Sequence, residues 1–186
     1  ERKRQLSMSF ILYRLNDLIS ATDEKELQSF LSSFKCSAEP AAEDFLNRVA
    51  IKHENNGISR TYLFVDRDDS GTDIIKGFST IAFKCLTIDE RHKIPETIFE
   101  QMNVDRGIAQ AYLLGQLAKA DGVEKGFGRK MINHSFDIFS KGNGMFGCRV
   151  VRLDCRDALI KYYESCGFTA AGKNQTGTLN HMIAII

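Results

Sequence analysis

Apolar residues recur along this chain in blocks, and their spacing alternates between that of a strand and that of a helix. The first block, residues 9–16 (Ser-Phe-Ile-Leu-Tyr-Arg-Leu-Asn), reads as a strand. Thr22-Asp23-Glu24 then supplies an N-cap with acidic residues in the first turn, and Leu27, Phe30, Leu31 and Phe34 recur at helical spacing, so 23–34 is an amphipathic helix. Pro40 opens a second helix at a first-turn position where its missing N–H costs little. Phe45, Leu46, Val49 and Ala50 form its apolar face, and Asn55-Asn56-Gly57 ends it. β-branched and aromatic content from Arg60 to Asp66 predicts a strand, and Asp68-Asp69-Ser70-Gly71 a hairpin turn. Residues 74–87 then form a long returning arm, with Gly77 a bulge site.

Residues 88–108 are polar and mixed, with a short helix near 96–102. Residues 111–118 predict another strand, followed by a glycine-bearing turn at 122–128. A helix follows from about Arg129, with Ile132, Phe136 and Phe139 on one face and Gly142 and Gly144 as its stop. Residues 148–154 predict a strand and 157–166 a short helix with Gly167 just past its end. Two short strands near 168–170 and 181–185 close the chain. The order is β-α-α-β-β-β-α-β-α-β-β, with no internal repeat and no visible domain boundary. It predicts a single α/β domain with a mixed sheet over residues 9–186.

Composition narrows the class. With 186 residues, 43% of them hydrophobic and 26% charged, the chain suits one domain with its own core. A net charge of +1 excludes a strongly basic nucleic-acid coat protein but leaves room for a local basic patch. No apolar run approaches the ~20 residues of a membrane span. Cys36, Cys85, Cys148, Cys155 and Cys166 form no C-x-x-C pair, which argues against a zinc ribbon or a redox dithiol. Their odd number, without a secretory leader, predicts buried free thiols in a reducing cytoplasm. His53, His92, His134 and His181 are scattered, without metal-ligand spacing, so no metal is expected. Residues 1–8, opening with Glu1-Arg2-Lys3-Arg4, read as a disordered or vector-derived tail.

Two stretches carry candidate chemistry. The first is the strand at 111–118 feeding Asp121-Gly-Val-Glu-Lys-Gly-Phe-Gly-Arg-Lys130 into a helix. The first N–H groups of a helix have no internal partners, and the helix dipole favours negative charge there. Gly126 and Gly128 let backbone approach a diphosphate. Arg129 and Lys130 place cations where they oppose the dipole, a conflict that a bound polyphosphate removes. A plain glycine turn accounts for the glycines equally well, since G-x-G is a weak motif. A Walker A loop is excluded because no G-x-x-x-x-G-K-[ST] occurs. A Rossmann turn is excluded because it needs a third glycine and a later acidic residue. The second stretch is Arg156-Asp-Ala-Leu-Ile-Lys-Tyr-Tyr-Glu-Ser-Cys-Gly-Phe168, in which Leu159 and Tyr162 or Tyr163 share a helix face. Taken alone it is aromatic packing with a glycine C-cap.

Together the two stretches resemble the GNAT superfamily of acetyl-CoA-dependent N-acetyltransferases. The family's pyrophosphate pattern, Gln/Arg-x-x-Gly-x-Gly/Ala, falls on Val123-Glu-Lys-Gly126-Phe-Gly128, with Val123 where the family has Gln or Arg. Its later pattern, Asn-x-x-Ala-x-x-x-Tyr-x-x-x-Gly-Phe, is met at Tyr163, Gly167 and Phe168, with Arg156 and Leu159 at the Asn and Ala positions. The motif match spans 111–168. The resemblance implies an α/β GNAT fold: a mixed, mostly antiparallel sheet with flanking helices and a splayed central strand pair. It implies acetyl-CoA as co-substrate, held by Leu117, Ala118, Lys119, Val123, Glu124, Lys125, Gly126, Phe127, Gly128, Arg129, Lys130 and Arg156. A narrower similarity is to the GNAT toxins of toxin–antitoxin pairs, which acetylate the α-amino group of aminoacyl-tRNA. It lies in Phe34-Lys-Cys36, Phe45-Leu46, Ala50, Ser59-Arg60-Thr61-Tyr62 and Leu114-Gly-Gln-Leu-Ala118. Those toxins usually carry Arg at the position of Gln116, and many are more basic. This similarity implies aminoacyl-tRNA as acceptor and an antitoxin partner, with a homodimer as a further expectation. The alternatives are a protein N-terminus or a small amine as acceptor, or a CoA-binding pseudoenzyme acting as a regulatory module.

The family reaction is direct attack of an amine on the acetyl thioester. The resemblance implies that backbone along 116–119 pairs with the thioester carbonyl and the pantetheine amides. It also implies that Tyr163 donates to the departing sulfur. A phenol, pKa ~10, stays protonated at neutral pH, above a thiol's ~8.5. Tyr162 points ~100° away on the same helix and is assigned to packing. Strand 111–118 has no carboxylate, where many members place Glu. That favours an α-amine acceptor, pKa ~8, over a lysine amine, pKa ~10.4. Glu96 and Glu100 remain as candidate bases, and His134 reads as structural.

Overall fold

The computed structural model describes residues 10–90 and 92–186. The tail expected at 1–8 lies outside the described residues, as does Ser9 of the first strand. The described chain divides into two compact units, one of residues 10–78 and 118–124, the other of 79–117 and 125–186.

In the first unit, β1 (Ile11–Arg14) lies antiparallel to β2 (Arg60–Arg67), with Tyr13 opposite Leu63. β1 is shorter than the expected strand 9–16, because Leu15–Ala21 forms a helix, α1. Leu15, Leu18 and Ile19 stand at i, i+3 and i+4 and pack into the core, and the apolar run before them conceals the change of period. α2 (Glu24–Ser32) is capped by Asp23, whose Oδ1 accepts from the Lys25 N–H at 2.9 Å. The helix opened by Pro40 is two helices, α3 (Pro40–Arg48) and α4 (Ala50–Asn55), parted at Val49. The hairpin turn is drawn together by Asp68 Oδ1, which accepts from the N–H groups of Ser70 and Thr72 at 2.9 Å each. β3 (Asp73–Phe83) then begins and runs unbroken through Gly77. Leu15, Leu31, Phe34, Leu46, Leu63 and Phe78 are buried to 2% or less and form the core, with Phe34 edge-on to Phe78 at 5.3 Å. Each such side chain contributes about 1.5–3 kcal/mol by leaving water.

In the second unit the expected arm 74–87 is two strands in two sheets. β3 ends at Phe83, and β4 (Leu86–Thr87) joins β6 (Ile108–Ala109) and β5 (Val104–Asp105) in a small sheet of order β4-β6-β5. α5 (Glu96–Phe99) lies between β4 and β5 in the chain. β7 (Tyr112–Lys119) leads by way of the glycine turn to α6 (Phe127–Phe146) and β8 (Val150–Cys155). A 3-10 turn (Asp157–Leu159) and α7 (Ile160–Ser165) replace the single helix expected at 157–166, and β9 (Thr169–Lys173) and β10 (Asn180–Ile185) close the chain. The larger sheet has the order β1-β2-β3-β7-β8-β10-β9. β7 and β8 run parallel, while β8, β10 and β9 are antiparallel neighbours. This is the mixed, mostly antiparallel sheet expected.

Gly142 and Gly144 do not stop α6. The helix passes through both and ends at Gly147, whose φ of +77° is the left-handed conformation glycine supplies at a helix end. Gly142 is there for space, since a Cβ on it would lie 2.6 Å from the Tyr112 hydroxyl. α7 ends as expected at Gly167, φ +95°, with Gly167 N–H bonded to Glu164 O and Phe168 N–H to Tyr163 O. These are the paired bonds of a Schellman turn.

One face of this part of the sheet packs Val151, Leu153 and Met182 against Ile132 and Phe139 of α6 and Tyr163 of α7. The other packs Val150 and Ile183 against Leu86, Met102 and Ala109. Cys36, Cys148 and Cys155 are buried as expected, but Cys85 is exposed just beyond β3 and Cys166 is half-exposed at the end of α7. Among the described residues no helix is long and apolar enough to cross a membrane.

Candidate active site

The site begins where β7 leaves β8. Their parallel pairing consists of Tyr112 opposite Val151 and Leu113 opposite Arg152. Just past it, β7 bulges. Ala120 N–H bonds to Lys76 O and Lys84 N–H to Ala111 O, so nine steps along β7 match eight along β3. The Thr80 hydroxyl fills the irregularity: its Oγ1 accepts the Gln116 N–H at 2.7 Å, and a Cβ on Gly115 would meet that oxygen at 2.9 Å. Gln116 therefore has no N–H to offer along the 116–119 edge. Strand alternation leaves Leu117 and Lys119 with backbone groups directed away from β3.

The turn after β7 is anchored within the first unit. Asp121 accepts from the Ser37 N–H at 3.0 Å and from its hydroxyl at 2.7 Å, and donates its own N–H to Lys35 O at 2.9 Å. Lys119 Nζ reaches over the turn to Val123 O at 2.6 Å and Glu124 O at 3.3 Å. Glu124 is 3.7 Å from Lys76. Ala118 is buried in that unit's core.

α6 starts at Phe127, two residues before the expected position. Its N-cap is Gly126, at φ +89°, with no side-chain cap and no acidic residue in the first turn. Its first donors are therefore unserved by the side chains that ordinarily cap a helix. Open space surrounds Gly126, with no atom within 4 Å of an added Cβ, whereas Gly128 lies against the Tyr162 hydroxyl. Phe127 is buried and Lys125 is exposed. Arg129 Nη2 bonds Ser165 O at 2.7 Å and Ser165 Oγ at 2.9 Å, so this guanidinium ties the start of α6 to the end of α7. Lys130 is half-buried, and Arg156 is exposed at the N-cap of the 3-10 turn.

The two tyrosines of α7 differ. Tyr163 is 8% exposed and packs edge-on to Phe168 at 5.9 Å; burial raises its phenol above the ordinary value. Tyr162 is 36% exposed, and burial pushes its phenol up to about 12. Tyr162, assigned to packing, lies against Gly128 at the start of α6 and edge-on to the Tyr163 ring at 5.2 Å. Glu96 and Glu100 are both exposed at α5. His134 is half-buried on α6, and burial lowers its pKa.

A sheet parted at a parallel pair, with a glycine-capped helix following the parted strand, is the GNAT architecture. No family model matches the chain, and no curated protein matches it in sequence. Solved structures do match. AtaT complexed with acetyl-methionyl-tRNAfMet is 19% identical, covers 95% of each chain and has a TM-score of 0.72. A Tyr-to-Phe mutant of KacT is 16% identical over 94% of each chain, with a TM-score of 0.70. A Tyr-to-Phe mutant of the AtaT toxin, bound to the C-terminus of the antitoxin AtaR and acetyl-CoA, is 16% identical over 94% of this chain and 92% of that one, with a TM-score of 0.66. The chain has the fold of these GNAT toxins.

Proposed function

We propose that this protein is an acetyl-CoA-dependent N-acetyltransferase whose acceptor is the α-amino group of an aminoacyl-tRNA. The observation that carries the reading is the start of α6: a left-handed glycine N-cap, no capping side chain and no acidic first turn. Such a helix end accepts a diphosphate through its backbone donors. The bulge in β7 and the parting from β8 support it, because they leave Leu117 with backbone groups for a pantetheine amide. The fold shared with AtaT, solved with acetyl-CoA and with an acetylated aminoacyl-tRNA, points to the acceptor, and its complex with AtaR to an antitoxin partner.

In this reading the glycine turn, Lys125 and Lys130 hold the phosphates. Lys119 shapes the turn by binding its carbonyls, and Arg129 fixes α6 against α7. Acetyl-CoA supplies an activated thioester. The protein's part is to hold that carbonyl beside the amine, and such positioning supplies much of the rate. Tyr163, kept protonated by its burial, donates to the departing sulfur.

Acetyl-CoA turnover on aminoacyl-tRNA, measured beside a panel of amines and peptides, tests this. Preferred acetylation of aminoacyl-tRNA supports the reading. Turnover confined to peptides or small amines replaces the acceptor, and acetyl-CoA binding without turnover on any amine removes the enzyme.

A further inference from the structure

Thr80 of β3 stands opposite two residues of the neighbouring strand β7 instead of one. Ala111 and Lys84 belong to one register of this strand pair, Ala120 and Lys76 to a register one step further on. The extra residue falls at Gly115 and Gln116. The Thr80 hydroxyl accepts the Gln116 N–H at 2.7 Å. Thr80 is buried, and a Cβ on Gly115 would lie 2.9 Å from that same oxygen, so a glycine there leaves the hydroxyl its room.

The extra residue reverses the parity of β7. Successive residues of a strand direct their backbone groups to opposite neighbours. Ala111 O bonds to Lys84 of β3, so in an unbroken strand the odd-numbered residues would all address β3, and Gln116 and Ala118 would address the other side. Instead Gln116 and Ala120 bond toward β3, which turns Leu117 and Lys119 to the other side. That side is open there. Pairing with β8 consists of Tyr112 with Val151 and Leu113 with Arg152, and it stops just before Gly115. A bulge that served only to twist the strand could stand anywhere along it. This one changes which amides face the opening at the point where the opening begins.

We propose that Thr80 is a positioning residue for the acyl donor: by taking the Gln116 N–H it holds the bulge, and so presents the backbone groups of Leu117 and Lys119 to the pantetheine arm of acetyl-CoA. Gly115 supplies the room for the hydroxyl. The inference rests on the acetyltransferase reading above. Without the hydroxyl the Gln116 N–H is left unpaired, and that cost is relieved when β7 slips one residue into regular register. A one-residue slip turns Leu117 and Lys119 back toward β3. Thr80 itself touches no reacting atom in this scheme.

Calorimetry with two ligands tests it: acetyl-CoA, and phosphoadenosine diphosphate, the nucleotide part of CoA without the pantetheine arm. The glycine turn serves both ligands, and the edge of β7 serves only the first. Thr80→Val keeps the shape and removes the hydroxyl. It should weaken acetyl-CoA binding by about tenfold or more and leave the nucleotide's affinity unchanged. Thr80→Ser should bind both ligands as the wild type does, and Gly115→Ala should repeat the Thr80→Val pattern. In folded Thr80→Val, equal loss of affinity for the two ligands, or loss for neither, overturns the proposal. Amide hydrogen exchange in the wild type decides without any variant. Acetyl-CoA should slow exchange at Leu117 and leave Gln116, already protected by Thr80, unchanged; slowing at Gln116 and not at Leu117 overturns the proposal. A wild type to which acetyl-CoA does not bind instead removes the acetyltransferase reading, and the proposal with it.

Discussion

The Tyr162 hydroxyl lies so close over Gly128 that a Cβ on that glycine would sit 2.5 Å from it. Gly128 is thus required for space and not for an unusual φ. Gly128→Ala adds about 1 kcal/mol of helix propensity but must displace the ring. In the wild type the change in stability should be near zero or negative, and in Tyr162→Ala it should be a gain of about 0.5–1 kcal/mol. Urea unfolding of the double-mutant cycle reads the difference, and additive effects would show that the two do not touch.

Gly126 sits in open space but at φ +89°. Any side chain there carries strain of about 1–2 kcal/mol, and an aspartate adds negative charge where the phosphates are proposed to lie. Gly126→Asp should weaken acetyl-CoA binding by tenfold or more, about 1.4 kcal/mol, and by more than Gly126→Ala. Calorimetry giving equal affinities for wild type and folded Gly126→Asp would remove the turn from the phosphate site.

Tyr163→Phe keeps a buried ring and removes one hydroxyl. If that hydroxyl serves the leaving thiolate, kcat should fall by ~10²–10⁴-fold while KM stays nearly constant. Tyr162→Phe should stay within a few-fold of wild type. A larger loss from Tyr162→Phe would reassign the role to the residue above Gly128.

Gly142→Ala presses a methyl against Tyr112, which is 5% exposed and stacked on Phe139 at 5.1 Å. That ring cannot swing into solvent, so the substitution should destabilise by about 1–3 kcal/mol despite better helix propensity. Tyr112→Phe removes a buried hydroxyl that has no partner among the described residues. It should be neutral or stabilising and should recover part of the Gly142→Ala loss, since ring carbons stay 3.1 and 3.3 Å from the added methyl. Thermal melts of the four proteins decide.

Burial pushes the Asp154 carboxyl up, but the His181 hydrogen bond and the Arg152 charge outweigh it and hold the group below its ordinary value. A depressed carboxyl contributes stability above its unfolded pKa, about 3.9, and loses it as pH falls toward the folded value. Asp154→Asn should therefore flatten the decline in unfolding free energy as pH falls below about 5. An unchanged slope would show that the pair adds nothing to acid stability.

Much of the candidate site lies in contiguous residues and could be read from them. The strand, glycine turn and helix at 111–146 are local, and so is the Tyr163, Gly167, Phe168 run, because helix starts and glycine ends depend on backbone chemistry within a few residues. The pattern does not show the change of period where one apolar run serves two elements, as at Phe10 to Leu15, and a glycine present for space, as at Gly142, looks locally like a helix stop. Neither the neighbour that needs the space nor the face to be buried is written in the local pattern.

By itself the sequence determined the order of most elements, the mixed sheet and the glycine-capped turn, since these follow from propensity, periodicity and capping. Only the tertiary structure decided the bulge that gives Gln116 N–H to Thr80, the place of Tyr162 over Gly128, and the meeting of Asp154 with His181, 27 residues apart in the chain. Each is a contact between strands or helices brought together by the burial of other residues. The side chains that meet therefore carry no mark in the sequence of what they will touch.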